Sequence, residues 1–212
     1  MRDTVATRRL LPLSMMTAIL ALTSTVTARQ DTRPLTLPEI VLRVAPQPVH
    51  RGRIRELVPL SLEQMVPTAD LIVHGIVELR STYLSVDQTE LYTDYWVNPR
   101  RVFAQRSVAT TSAPGAAPPI VLKRWGGKTL LDGVSVTVED HDLRDFRSGE
   151  ELLLVLIYDN ADGKYRIAGD ISGAFAVAGR RILPLVQHPI AERVRNLSLD
   201  EFDTRVRQLW RQ

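Results

Sequence analysis

The stretch Glu150-Glu151-Leu152-Leu153-Leu154-Val155-Leu156-Ile157-Tyr158 decides the fold. It is apolar at odd and even positions alike, and turn residues bound it on both sides. A short run of this kind reads as a strand buried on both faces. Asp159-Asn160-Ala161-Asp162-Gly163 follows. Asn, Asp and Gly tolerate the positive φ that tight hairpins require, so Tyr165-Arg166-Ile167 is expected to pair back across this turn.

The same reading extends outward. Upstream, Phe146 and the turn Arg147-Ser148-Gly149 lead into the central run. Val134-Ser135-Val136-Thr137-Val138 alternates, as a half-buried strand does. Ile120-Val121-Leu122-Lys123-Arg124-Trp125 is a further strand, ended by Gly126-Gly127. Leu91 to Val97 alternates, with Arg101-Val102-Phe103 extending it, and Asp70 to Leu79 is dense in β-branched and apolar residues. Residues 104–118 read as a low-complexity loop. Downstream, Ala174 to Val177 and Arg181 to Leu185 form a last hairpin around Gly179.

Two helices are signalled by their caps. Ser61-Leu62-Glu63-Gln64 and Ser198 with Glu201 are capping boxes. The first opens a short helix with Leu62, Met65 and Val66 inward, limited by Pro67. The second opens a C-terminal helix with Leu199, Phe202, Val206 and Leu209 on one stripe. Six or seven short strands without βαβ alternation define a mainly β fold. The expected architecture is a small antiparallel OB-like barrel, or a sandwich, with a short N-terminal helix and a C-terminal helix. The domain occupies 58–187 and the C-terminal amphipathic helix 188–212. Residues 29–57, with Pro34, Pro38, Pro46 and Pro48, read as an extended Pro-rich tether, with at most one edge strand near Ile40 to Leu42.

The N-terminus has the order of a signal peptide. Arg8-Arg9 precede the apolar run Leu10 to Leu22, and Val26 and Ala28 suit a cleavage site after Ala28. The run is shorter than the ~20 residues that span a bilayer. The leader is therefore 1–28, an uncleaved anchor is the alternative, and no membrane span remains after processing. The expected location is periplasmic or secreted, with a secreted or periplasmic protein as possible partner. With 212 residues and 44% apolar content the chain can bury a core without staples. It has no cysteine, which excludes disulfides, thiolate metal sites and a thiol nucleophile. The net charge is +3 without a dense basic cluster, so nucleic acid is not an expected partner. No cofactor is implied.

From Ser61 to Val177 the chain resembles a loose group of secreted bacterial proteins of unassigned function. The shared pattern is carried by Ala69 to Val73, Tyr92 to Tyr95, Gly126-Gly127, Gly149 to Leu154 and Gly173 to Phe175. The order is also similar to the netrin-like module, an OB-type barrel found in tissue inhibitors of metalloproteinases. That resemblance implies the fold. Those inhibitors reach the catalytic zinc through an N-terminal cysteine, which this chain lacks, so their mechanism does not carry over.

Candidate sites are few. Glu139, His141 and Asp142 place carboxylates beside an imidazole, a combination able to bind a divalent cation if the chain turns there. His74 reads as a strand histidine at the barrel surface, and His50 and His188 as solvated. Tyr92, Tyr95, Trp96 and Trp125 form the ligand-binding candidate: some aromatic residues on these strands must be core, and Tyr92 and Trp96, which share a face, would make an aromatic platform only if exposed together. There is no Gly-x-Ser-x-Gly elbow and no Ser-x-x-Lys. Gly126-Gly127-Lys128 lacks the rest of a phosphate loop. The expected function is an exported non-enzymatic binding or interaction module. The alternatives are an exported hydrolase with a site near His141 and a protease-inhibitor-like module.

Overall fold

A computed structural model describes residues 33–53, 59–106, 120–186 and 188–211. The leader 1–28 and most of the 104–118 loop lie outside these residues. Residues 34–212 form one compact unit. It is mainly β, with two sheets and a few short helices.

The central run becomes β7 (Glu150–Asp159). Leu152 to Leu156 are all fully buried. Leu152, Leu154 and Leu156 point into the barrel interior with Val73, Val77, Tyr95 and Phe146. Leu153 and Val155 face the opposite way, into a second core. That double burial explains the unbroken apolar run. β7 pairs with β2 (Leu71–Leu84), which forms a long antiparallel hairpin with β3 (Leu91–Gln105). Their register shifts in three places, between Ile72 and Val73, His74 and Gly75, and Leu79 and Ser81. Such bulges bend a strand and sharpen its twist, which lets one hairpin wrap a small barrel. β4 (Ile120–Trp125) continues the sheet beside β3. β8 (Lys164–Ile167) returns antiparallel beside β7 and meets β4 in parallel. The order β7-β2-β3-β4-β8 thus returns to β7 as a barrel-like ring.

β9 (Ala174–Ala178) and β10 (Arg181–Pro184) extend the sheet beyond β7 as the expected hairpin. The helix α4 (Leu199–Trp210) starts at Ser198, whose capping box with Glu201 is fully formed. Phe202 and Val206 sink into the second core, and the Phe202 ring meets Phe103 edge-on with centroids 5.5 Å apart. The short helix α2 (Leu62–Met65) closes the same core, and Gln64 accepts the Ser61 amide as its capping box requires. A single-turn helix, α3 (Pro189–Glu192), precedes α4, and His188 caps it by accepting the Ile190 amide through Nδ1 at 3.2 Å.

The tether reading of 29–57 is corrected for residues 33–53, the part that the structure describes. Leu37–Val44 is a helix, α1, and Val49–Arg53 is a strand, β1. Thr36 and Glu39 form a capping box that the density of prolines hides. Pro38 lies in the first turn, where a missing amide removes no intrahelical bond. Ile40 to Leu42 are therefore helical. β1 runs parallel to β6 (Val134–Asp140), which pairs with β5 (Gly127–Leu131). Leu37, Val41, Val49, Val136 and Val138 bury a third core in this cap. β4 ends at Trp125 before Gly126-Gly127, as expected, and β5 begins in the second sheet. Ten strands result among the described residues, not six or seven.

Candidate functional site

The ring is unevenly sealed. β4 and β8 meet at one register pair, Leu122 with Tyr165. β4 then continues through Lys123, Arg124 and Trp125, and β8 through Arg166 and Ile167. A cavity of about 230 Å³, at the small end of ligand sites, is lined by these residues together with Tyr92, Asp140, Leu143, Asp159, Asp162 and Asp170.

Side chains bridge this seam where backbone bonds do not. Lys164 on β8 donates to Asp94 on β3 at 2.7 Å and to the Tyr83 hydroxyl at 3.0 Å. Tyr83 in turn donates to the other Asp94 oxygen at 3.0 Å. Asp94 is buried at 3% exposure, so this pairing satisfies a carboxylate cut off from water. Lys123 on β4 pairs with Asp162 in the β7–β8 turn. Burial alone would pull both ammonium groups down; the carboxylate partners outweigh it and hold both above the usual lysine value. Burial pushes the Tyr83 hydroxyl up. Arg124 is buried beneath the seam and donates to the carbonyls of Leu143 at 2.6 Å and Arg144 at 2.9 Å. Its desolvation lowers its pKa, against the opposing pull of Tyr95 and Asp145.

The four aromatic candidates separate. Tyr95 is a core residue, its ring 5.4 Å from Phe146, and belongs to no platform. This is a correction: Tyr95 alternates with Tyr92 and Trp96 along β3 and so faces inward. Tyr92 and Trp125 are register partners and both line the cavity. Their surfaces are largely engaged already. The Lys123 ammonium sits 4.2 Å from the Tyr92 ring centre, and Tyr83 lies 6.3 Å away. Trp125 donates to Glu90 at 2.6 Å and packs on the third core. Trp96 is 44% exposed, with the Arg80 guanidinium 5.5 Å from its ring, and does not line the cavity. The open platform expected from Tyr92 and Trp96 is not formed.

Glu139, His141 and Asp142 do not form a metal-holding group among the described residues. Glu139 is exposed at the end of β6, and Asp140 accepts the Asp142 amide at 3.1 Å. The His141 ring lies over Gly52 of β1, with Nε2 2.0 Å from where a Cβ at that position would stand. Among the described residues no group of three or more His, Asp or Glu side chains could hold a metal ion. Neighbours along a strand end diverge, and here the chain does not fold them back together. His141, Asp142, Arg144 and His188 do share a separate hollow of about 470 Å³, but Arg144 is committed to Glu150 and His188 to its cap.

His74 differs from its expected surface position. It is 7% exposed, and Nε2 lies 2.7 Å from Glu151, which also pairs with Arg100 at 2.8 Å. His50 is exposed. No helix among the described residues is long and apolar enough to cross a membrane. No family model, curated protein or solved structure matches the chain.

Proposed function

We propose that this chain is an exported, non-enzymatic binding or protein-interaction module, periplasmic or secreted, built on a netrin-like, OB-type barrel. The observation that carries the reading is the cleft at the β4–β8 seam. In the OB-type order, ligands meet the second and third strands and the loop between the fourth and fifth. In the ring β2-β3-β4-β7-β8, counted along the chain, those elements are β3, β4 and the β7–β8 turn. They contribute Tyr92, Lys123, Trp125 and Asp162 to the cleft. The hydrolase alternative draws no support from a metal group, since among the described residues no three His, Asp or Glu side chains gather to hold an ion.

The test is an amide-resolved NMR screen of the folded chain against a library of small polar compounds and oligosaccharides. Binding should shift resonances of Lys123 to Trp125 and Lys164 to Ile167. Hits confined to another face, or turnover of compounds during the screen, would refute the proposal.

A further inference from the structure

We infer that the seam cleft binds small zwitterions, molecules that carry an ammonium and a carboxylate close together, such as an amino acid or a dipeptide with free ends. The inference rests on the binding-module reading and deepens it by naming the ligand class.

Among the described residues the cleft's cations and carboxylates are equal in number, four of each. With the lining charges balanced, neither a lone anion nor a lone cation is favoured by the net field, and either would leave groups of one sign without a partner. Several of these charges are already committed. Lys164 is held by Asp94, Lys123 by Asp162, and Arg124 by two backbone carbonyls. Arg166, exposed on β8 at the rim, makes no ion pair or hydrogen bond among the described residues. Asp159 and Asp140 each spend one oxygen, Oδ1, on a backbone amide, of Ala161 and Asp142 respectively. Their Oδ2 atoms have no hydrogen-bond partner among the described residues. A free guanidinium and two half-used carboxylates therefore face one cavity.

Guanidinium groups match carboxylates in a two-pronged geometry, and carboxylate oxygens accept from ammonium groups in strong charge-assisted bonds. One ligand bearing both charges satisfies both sides at once. The aromatic residues argue against a neutral saccharide, which would need an open ring to stack on. Tyr92 lies under the Lys123 ammonium, Trp125 packs on the cap core, and Tyr165 meets Tyr158 edge-on at 5.1 Å. The charged groups are what remain accessible. The cavity of about 230 Å³ limits the ligand to roughly this size class.

The experiment is a calorimetric and NMR titration of the folded chain with six probes. They are phenylalanine, glycylphenylalanine, the N-acetyl and C-amide forms of that dipeptide, its doubly blocked form, and diacetylchitobiose. Binding of phenylalanine or the free dipeptide is expected, and which of the two binds more tightly fixes the length the cleft prefers. Blocking either end should weaken binding at least tenfold, about 1.4 kcal/mol. Arg166→Gln should abolish the preference for the free carboxylate while keeping that for the free amine. Asp159→Asn should weaken the preference for the free amine. Both side chains lie at the surface or rim, and circular dichroism checks that each variant folds.

The inference is overturned if blocked and free dipeptides bind alike, if Arg166→Gln leaves the free dipeptide unaffected, or if none of the zwitterions binds at millimolar concentration. Binding of the disaccharide at the same resonances without binding of the zwitterions overturns the ligand class and leaves the binding-module reading standing. Absence of any ligand at the seam in the broader screen removes both.

Discussion

Asp94→Asn is the sharpest test of how the ring stays closed. The substitution keeps the shape of the side chain and removes its charge. Asp94 is buried and receives Lys164 at 2.7 Å and Tyr83 at 3.0 Å. Breaking a fully buried ion pair costs about 3–5 kcal/mol, and hydrogen bonds to charged groups contribute about 1.5–3 kcal/mol each. The Lys164 side chain is 25% exposed, so its ammonium recovers some hydration when the carboxylate is lost. The amide oxygen still accepts one of the two bonds. The expected loss is therefore about 2 kcal/mol, below the fully buried range. In urea denaturation, with a slope of about 2 kcal/mol per molar, the midpoint should fall by about 1 M. Lys164→Met combined with Asp94→Asn should recover part of the sum, because the two substitutions remove the same interaction. Hydrogen exchange supplies an independent reading: amides near Leu122 and Tyr165, at the single bridge, should lose protection more than those of Leu152 to Leu156. A stability loss under ~0.5 kcal/mol with unchanged protection at the seam would show that the side chains do not hold it.

Other outcomes follow from the same geometry. Gly75→Ala should destabilise by about 2–3 kcal/mol, since its Cβ would stand 2.5 Å from the Asn98 carbonyl oxygen, a backbone atom that cannot swing aside; thermal denaturation reads it. Phe202→Ala removes a ring buried between Phe103 and Phe175 and should cost about 3–5 kcal/mol, measured by denaturant unfolding. The pH profile of stability should fall at both ends. Asp203 is held below its usual value, first by Arg207 and also by Arg101, and Glu63 is lowered to about 2, by its own backbone amide first and then by Arg205. A lowered carboxyl stabilises fully above its unfolded value, so this contribution is lost as pH drops from the ordinary carboxyl range toward 2. Lys164 and Lys123 are held above 10.5, so their contribution persists below that pH and is lost above it as they deprotonate. Chemical denaturation across the pH range would contradict these assignments if stability stayed flat at either limit.

The barrel was largely legible because its strands carry a period. The double-sided burial of Leu152 to Leu156, the turn at Asp159 to Gly163 and the alternation of Leu91 to Val97 each reflect a physical surface that the strand must cover. The cap was not legible. Val49-His50-Arg51-Gly52-Arg53 has no apolar alternation, since its buried contact is confined to Val49 and its pairing comes from β6. Prolines hid α1 because composition speaks for the segment while the capping box speaks for two residues, Thr36 and Glu39. The seam cleft was out of reach for a different reason. Lys123, Asp140, Asp159 and Arg166 lie on separate elements, and only the parallel meeting of β4 and β8 brings them together. The aromatic residues were visible as types, but whether a ring face is open depends on which lysine or arginine lies over it.

The placement of β1 has a consequence for assembly. Its partner β6 is made only after β2 to β5 have been synthesised, and among the described residues no other strand pairs with it. A chain emerging from its N-terminus must therefore hold Val49 to Arg53 unpaired while most of the barrel is still being produced. Contacts so distant in sequence slow folding and lengthen the time during which a strand edge lies open to wrong partners. The arginines and histidine that make this strand hard to recognise also make it a poor template for aggregation during that delay.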